Sequence, residues 1–141
     1  MGILRSEWRD RLDHWRRTLR NDLYEPLGYV EWKGACTHQQ LTLQEAEALP
    51  LEPMPEGTVW GTSWDYCWLF GTVTLPRQAE GKRIVMWLNP GGEATLFVNG
   101  RPFGTRRAPW VKEPYHFVED NTLSYEAKAG DTYRIAAEVC A

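Results

Sequence analysis

Along the first two dozen positions, apolar residues recur at helical spacing. Leu4, Trp8, Leu12, Trp15, Leu19 and Leu23 are separated by four, four, three, four and four residues. That spacing lays them on one stripe of a helix of period 3.6. Arginines and acids occupy the other face. Two tryptophans on the stripe require an apolar surface to dock on, because an isolated helix of this length is marginal in water. Asn21, Pro26 and Gly28 signal its end.

Between positions 29 and 56 the pattern is irregular. Tyr29-Val30-Glu31-Trp32 reads as a short extended piece. Thr42-Leu43-Gln44-Glu45 has the form of a capping box, in which hydroxyl and carboxylate each satisfy a free backbone N–H. One short helix, about Leu43 to Leu49, is expected to follow and stop before Pro50. Pro50, Pro53 and Pro55 then favour an extended connector.

From Gly57 onward the period changes to two. Trp68 to Leu75 reads as a strand, with Leu69, Gly71, Val73 and Leu75 on one side and Trp68, Phe70, Thr72 and Thr74 on the other. Arg83 to Asn89 and Ala94 to Val98 read as further strands, separated by Pro90-Gly91-Gly92. Asn99-Gly100 is the strongest hairpin signal in the chain, since both central residues of a tight hairpin turn take positive φ. Val111 to Val118 and Leu123 to Ala127 are weaker strands. Thr132 to Val139 alternates cleanly, with Tyr133, Ile135, Ala137 and Val139 on one face. Strands separated by turns, with no helix between them, indicate an antiparallel β-sandwich or jelly roll. The expected class is mainly β with an N-terminal α-helix. We divide it into an amphipathic helix at 1–28, a connector with one short helix at 29–56, and a β-sandwich at 57–141, all in one structural domain.

Length fits one domain with a real core, at 141 residues. Eight tryptophans allow either a core built on large rings or a partly exposed aromatic surface that meets sugar or a partner domain. A net charge of −3 lacks the basic surplus of a nucleic-acid binder, so that partner class is not expected. Three widely spaced cysteines, Cys36, Cys67 and Cys140, argue against a disulfide framework and for a reducing compartment. Charges interrupt the N-terminus where a signal peptide would be apolar, and no apolar run has the length of a membrane span. The expectation is a cytoplasmic protein without a membrane partner. The last strand running almost to Ala141 suggests a natural polypeptide that continues.

The chain is poor in catalytic constellations. His14, His38 and His116 share no motif, and no metal-ligand spacing occurs, so no metal site is expected. Gly61-Thr62-Ser63-Trp64-Asp65 lacks the final glycine of a nucleophile elbow and precedes a strand instead of following one. Gly91-Gly92-Glu93 lacks the ending of a phosphate loop. Glu93, at the mouth of a turn, reads first as an acceptor for turn N–H groups and second as a ligand-binding carboxylate. It has no evident second carboxylate, and glycosidic cleavage uses a pair. Trp60, Trp64, Tyr66, Trp68 and Phe70 form a dense aromatic cluster. Its readings are core packing, contact with a partner domain, or a sugar platform. The candidates for carbohydrate or domain contact are therefore Trp60, Trp64, Trp68, Glu93, Arg106 and Trp110; no catalytic residue is assigned.

The order of motifs carries a resemblance. It runs Trp60-Gly61, Trp68-Leu69-Phe70, Leu75-Pro76, Gly81-Lys82-Arg83-Ile84-Val85, Gly91-Gly92-Glu93-Ala94, Leu96-Phe97-Val98-Asn99-Gly100, Gly104 and His116. It closes with Gly130-Asp131-Thr132-Tyr133-Arg134-Ile135 and Glu138. This resembles the N-terminal β-sandwich, of galactose-binding-like type, in the family 38 α-mannosidases of the glycoside hydrolases. The arginine- and tryptophan-rich first helix fits the same group. Cys67-Trp68-Leu69-Phe70 departs from the Trp-Phe-Arg-like strand start of that group, and residues 105–114, with Arg106, Arg107 and Trp110, match nothing in it. The resemblance implies a non-catalytic accessory domain that packs on, or shapes access to, a downstream catalytic domain of the same polypeptide. It implies that the aspartate nucleophile and the zinc ion belong to that other domain, with no cofactor here. Two alternatives are an autonomous carbohydrate-binding module and a protein–protein interaction domain that uses the helix stripe.

Overall fold

The computed structural model describes residues 2–22, 24–106 and 121–141. The first element is helix α1, Gly2–Asp22. Among the described residues eight strands follow, with a second α-helix among them. They are β1 (Lys33–Thr37), α2 (Leu43–Glu47), β2 (Glu52–Pro53), β3 (Tyr66–Thr74), β4 (Ile84–Val85), β5 (Glu93–Val98), β6 (Arg101–Arg106), β7 (Thr122–Ser124) and β8 (Thr132–Cys140). Six strands make one sheet in the order β2-β1-β3-β8-β5-β6, and β4 and β7 make a second, two-stranded sheet. Every strand pair is antiparallel. The mainly β jelly-roll class read from the sequence is the class observed.

The centre of the large sheet is the pair of longest strands. β3 and β8 run opposite each other without interruption from Tyr66↔Cys140 to Thr74↔Thr132. The period-two pattern explains the pairing, because each strand offers an apolar row to the same side. Cys67 and Leu69 of β3, Ala94 and Leu96 of β5, and Ala137 and Val139 of β8 form one buried cluster. Trp32, Met54, Trp60, Met86, Leu88 and Phe103 close over it. A second cluster, Leu75, Ala79, Ile84 and Ala127, joins the large sheet to β4 and β7. Burying a side chain such as Val139, fully enclosed, contributes about 1.5–3 kcal/mol.

The Asn99-Gly100 hairpin forms as expected. Asn99 has φ 51° and Gly100 φ 77°. The Asn99 N–H donates to the Arg134 carbonyl at 2.8 Å, and its side-chain oxygen accepts from the Arg134 N–H at 2.9 Å. That ties the β5–β6 turn to β8. The capping box also forms: Thr42 N–H donates to the Glu45 carboxylate at 2.8 Å, and Glu45 N–H to the Thr42 hydroxyl at 3.4 Å. The Thr42 N–H foremost, then the Thr42 hydroxyl, which donates to the same carboxylate oxygen at 2.8 Å, hold the Glu45 carboxyl below its ordinary range.

Several expectations are corrected. The segment 29–56 is part of the sheet, because β1 pairs with β3 along its whole length and β2 pairs with β1. Its composition concealed this. Lys33-Gly34-Ala35-Cys36-Thr37 carries little strand propensity, and pairing with β3 holds it extended. Gly34 is needed there, since a Cβ would lie 2.7 Å from the Trp68 carbonyl oxygen. The short extended piece at 29–32 is displaced C-terminally into β1, and α2 ends at Glu47. The Arg83–Asn89 strand contracts to Ile84–Val85. Its register with β7 shifts after Ile84, and Asn121 clamps Met86, its carbonyl accepting from the Met86 N–H and its side chain donating to the Met86 carbonyl. The Leu123–Ala127 strand is Thr122–Ser124, and β6 was not foreseen. The expected Val111–Val118 strand lies outside the described residues. Helix α1 stops at Asp22, before Pro26.

The part of the α1 stripe from Trp8 to Leu19 is not buried. Trp8, Leu12 and Trp15 are more than half exposed, and Leu19 is exposed as well. Arg11 places its guanidinium 5.8 Å from the Trp8 ring centre, a cation–π contact that shields one of these rings in part.

Candidate binding face

Directly opposed residues of an antiparallel ladder share a face, and neighbours along a strand alternate. The face opposite the first cluster therefore carries Tyr66, Trp68 and Phe70 of β3. Beside them stand Arg134, Ala136, Glu138 and Cys140 of β8, and Glu93, Thr95 and Phe97 of β5. At its centre the Trp68 ring stacks on Phe70 at 6.0 Å and on Phe97 at 5.8 Å between centroids. Trp68 is 1% exposed. Tyr66 to Phe70 is thus a stretch with apolar residues on both sides of the sheet, which is why it does not alternate cleanly between polar and apolar.

Two clefts flank this stack. The larger, about 450 Å³, lies between α2 and the sheet, with Glu31, Lys33, Glu47, Leu43, Phe70 and Arg134 among its walls. The smaller, about 200 Å³, is lined by Gln40, Tyr66, Glu93, Thr95, Glu138 and Cys140. The second carboxylate that the sequence did not reveal beside Glu93 is Glu138. Glu93 opposes Cys140 and Thr95 opposes Glu138, so the two acids stand on one face, with one residue pair of the ladder between their pairs. Burial pushes the Glu138 carboxyl above its ordinary value. Its Oε1 and the Trp68 Nε1 are both buried without a hydrogen-bond partner.

The six candidates do not converge. Trp68 and Glu93 share the face just described, Trp68 sealed in the ring stack and Glu93 exposed at the small cleft. Trp60 packs on the first cluster, on the other side of the sheet. Arg106 is opposed to Ala94 of that cluster, and burial lowers its pKa. Trp64 projects from the turn at 62–65, 83% exposed, with φ 72°. Trp110 lies outside the described residues. A continuous platform from Trp60 to Phe70 is therefore not what these rings build; only Tyr66, Trp68 and Phe70 share a face, as their even spacing predicts.

The turn that presents Trp64 is held by Asp65, which is nearly buried. Its carboxylate accepts from the Thr62 N–H at 2.7 Å and from the Thr62 hydroxyl at 3.0 Å. His38 Nδ1 pairs with the other carboxylate oxygen. The Thr62 backbone bond above all, then the Thr62 hydroxyl and His38, hold the Asp65 carboxyl below its usual range against the opposing effect of burial. The Ala141 N–H donates to the Asp65 carbonyl at 2.9 Å, so this turn also fastens the end of β8.

The cleft-lining residues that the sequence did not single out are Glu138 and Thr95 at the small cleft, and Lys33, Glu47 and Arg134 at the large one; Tyr66 of the small cleft was already a member of the aromatic cluster. Alternation put Arg134 and Glu138 on the polar side of β8. The missing signal was the apolar run Tyr66–Phe70, which marks a strand covered on both faces. Among the described residues no three His, Cys, Asp or Glu side chains gather as a metal site would require. No helix among them is long and apolar enough to cross a membrane.

No match was found among curated proteins or among solved structures. One family model does match, over residues 27–140, and its description is alpha-mannosidase, jelly roll domain. The match spans all eight strands and α2 and leaves out α1. The chain belongs to the jelly-roll domain family of the α-mannosidases, the N-terminal domain of family 38-type enzymes.

Proposed function

We propose that this chain serves as a non-catalytic accessory domain of an α-mannosidase-like glycoside hydrolase, packing on its catalytic domain or shaping access to it. One observation carries the reading beyond family membership. Immediately before the jelly roll stands a helix whose Trp8, Leu12, Trp15 and Leu19 stripe is exposed. A stripe of this kind is an interaction surface, and a neighbouring domain of the same polypeptide would cover it. The aspartate nucleophile and zinc ion of mannoside hydrolysis would then reside in that neighbour. The chemistry of this chain would be confined to folding and docking, in a cytoplasmic enzyme.

The test is to follow the reading frame beyond residue 141 and to assay α-mannoside hydrolysis by the longer polypeptide and by this chain. The expected outcome is zinc-dependent turnover by the longer protein and none by the 141 residues. Trp8→Ala with Trp15→Ala in the longer protein should loosen the domain contact, read as faster proteolysis between the domains. Turnover by the isolated chain, or a frame that encodes no hydrolase, overturns the reading.

A second reading, an autonomous carbohydrate-binding module, is supported by the large cleft. It combines an aromatic ring, Phe70, with charged groups from Glu31, Lys33, Glu47 and Arg134, the mixture a sugar face requires. Titration with mannose, galactose and their oligomers, followed by tryptophan fluorescence, checks it; a flat response at millimolar sugar disposes of it.

A further inference from the structure

Cys36 and Cys67 are thirty-one positions apart in the sequence, but β1 and β3 set them directly opposite each other in the ladder. Opposed residues of an antiparallel pair have Cα atoms about 4.5–5.5 Å apart, inside the roughly 4.4–6.8 Å that a disulfide spans. Both side chains project to the same side of the sheet, and both thiols are free. Cys36 is exposed, whereas Cys67 is completely buried. Cys140 stands opposite Tyr66, on the other face.

We propose that Cys36 and Cys67 form an oxidisable cross-strand dithiol, closed to a disulfide by low-molecular-weight disulfides of the glutathione type. Cys36 is the thiol a reagent reaches. Its thiolate attacks one sulfur of the reagent; that S–S bond breaks and one glutathione leaves, taking up a proton. Cys67 then loses its proton to solvent and attacks the Cys36 sulfur. The mixed disulfide breaks and the second glutathione departs. Two protein thiols are oxidised by two electrons, and one glutathione disulfide is reduced to two thiols.

The two steps differ in ease. Burial first, then a hydrogen bond and charge from the facing Cys36, push the Cys67 thiol far above its ordinary value. Once Cys36 is held in the mixed disulfide its negative charge is gone, and that part of the opposition to Cys67 ionisation goes with it. The second step therefore becomes available only after the first, and its rate should climb with pH.

The consequence is mechanical. Among the described residues, β1 is backed on its outer side by the two residues of β2. The bond would clamp it to β3 and close a loop that contains α2, whose Leu43 and Glu47 wall the large cleft.

The test uses the intact chain. Its methionines, Met1, Met54 and Met86, fall so that cyanogen bromide puts each cysteine on a different fragment. Native protein treated with oxidised glutathione should lose the mass of two hydrogen atoms and two titratable thiols. Its fragments ending at Met54 and Met86 should stay joined until reduced. The melting temperature should rise on oxidation and fall back on reduction. Cys140→Ser should leave all of this unchanged. Cys36→Ser, a surface change, should abolish the link. A wild-type chain that keeps glutathione on Cys36, that links the fragment bearing Cys140, or that does not react at all overturns the proposal.

Discussion

Trp68 and Glu138 face each other across the β3–β8 ladder, and each holds a buried polar atom, the indole Nε1 and the carboxylate Oε1, that lacks a partner. Such atoms forfeit their bonds to water without replacement, at a typical cost of about 1–3 kcal/mol each. The arrangement taxes the fold most when Glu138 is ionised.

The sign follows from the raised Glu138 pKa. A carboxyl whose pKa is higher folded than unfolded favours the native state while protonated. Its contribution is complete below the unfolded value and is lost as pH rises through the folded one. Glu138→Gln removes the titration. The variant should melt above the wild type at neutral pH, with the gap narrowing as pH falls into the ordinary carboxyl range. Thermal melts of both proteins across pH 3 to 8, on the order of ten points, would show this; a gap that does not vary with pH would clear Glu138 of the effect.

Trp68 itself should be indispensable to stability. It is enclosed between Phe70 and Phe97, and truncation leaves a large cavity. Trp68→Ala is expected to cost about 3–5 kcal/mol in urea unfolding. A loss under about 1 kcal/mol would mean that the ring is not enclosed in solution.

Gly100 tests the hairpin. With φ at 77°, a β-branched residue there is strained, although nothing lies within 4 Å of the added Cβ. Gly100→Val should destabilise by about 1–3 kcal/mol. Gly28, equally open but without a positive φ, is the control; Gly28→Val should change stability by less than about 0.5 kcal/mol. Equal melting of the two variants would refute the turn.

What the sequence disclosed and what it withheld have a common physical basis. Asn99-Gly100, the Thr42–Glu45 box and the alternation of β8 are local signals, each set by a few neighbouring residues, and they could be read directly. β1 could not, because Lys33–Thr37 is extended only through its pairing with a strand some thirty residues away. The site suffered most from this. Glu93 was visible as a turn carboxylate, but Glu138 became its neighbour only when β8 paired with β5. Trp60 and Trp68 looked like members of one aromatic surface, and the sheet separates them onto opposite faces. The family resemblance, by contrast, depends on the order of motifs along the chain, and that order survives without any knowledge of pairing.

Both rims of the large sheet carry a proline: Pro53 in the two-residue β2 and Pro102 in β6. Each removes one backbone donor from a margin where another strand could otherwise attach. Growth of the sheet by recruitment of a foreign backbone is thereby discouraged at either side. A further strand laid along either margin would find one backbone donor missing there.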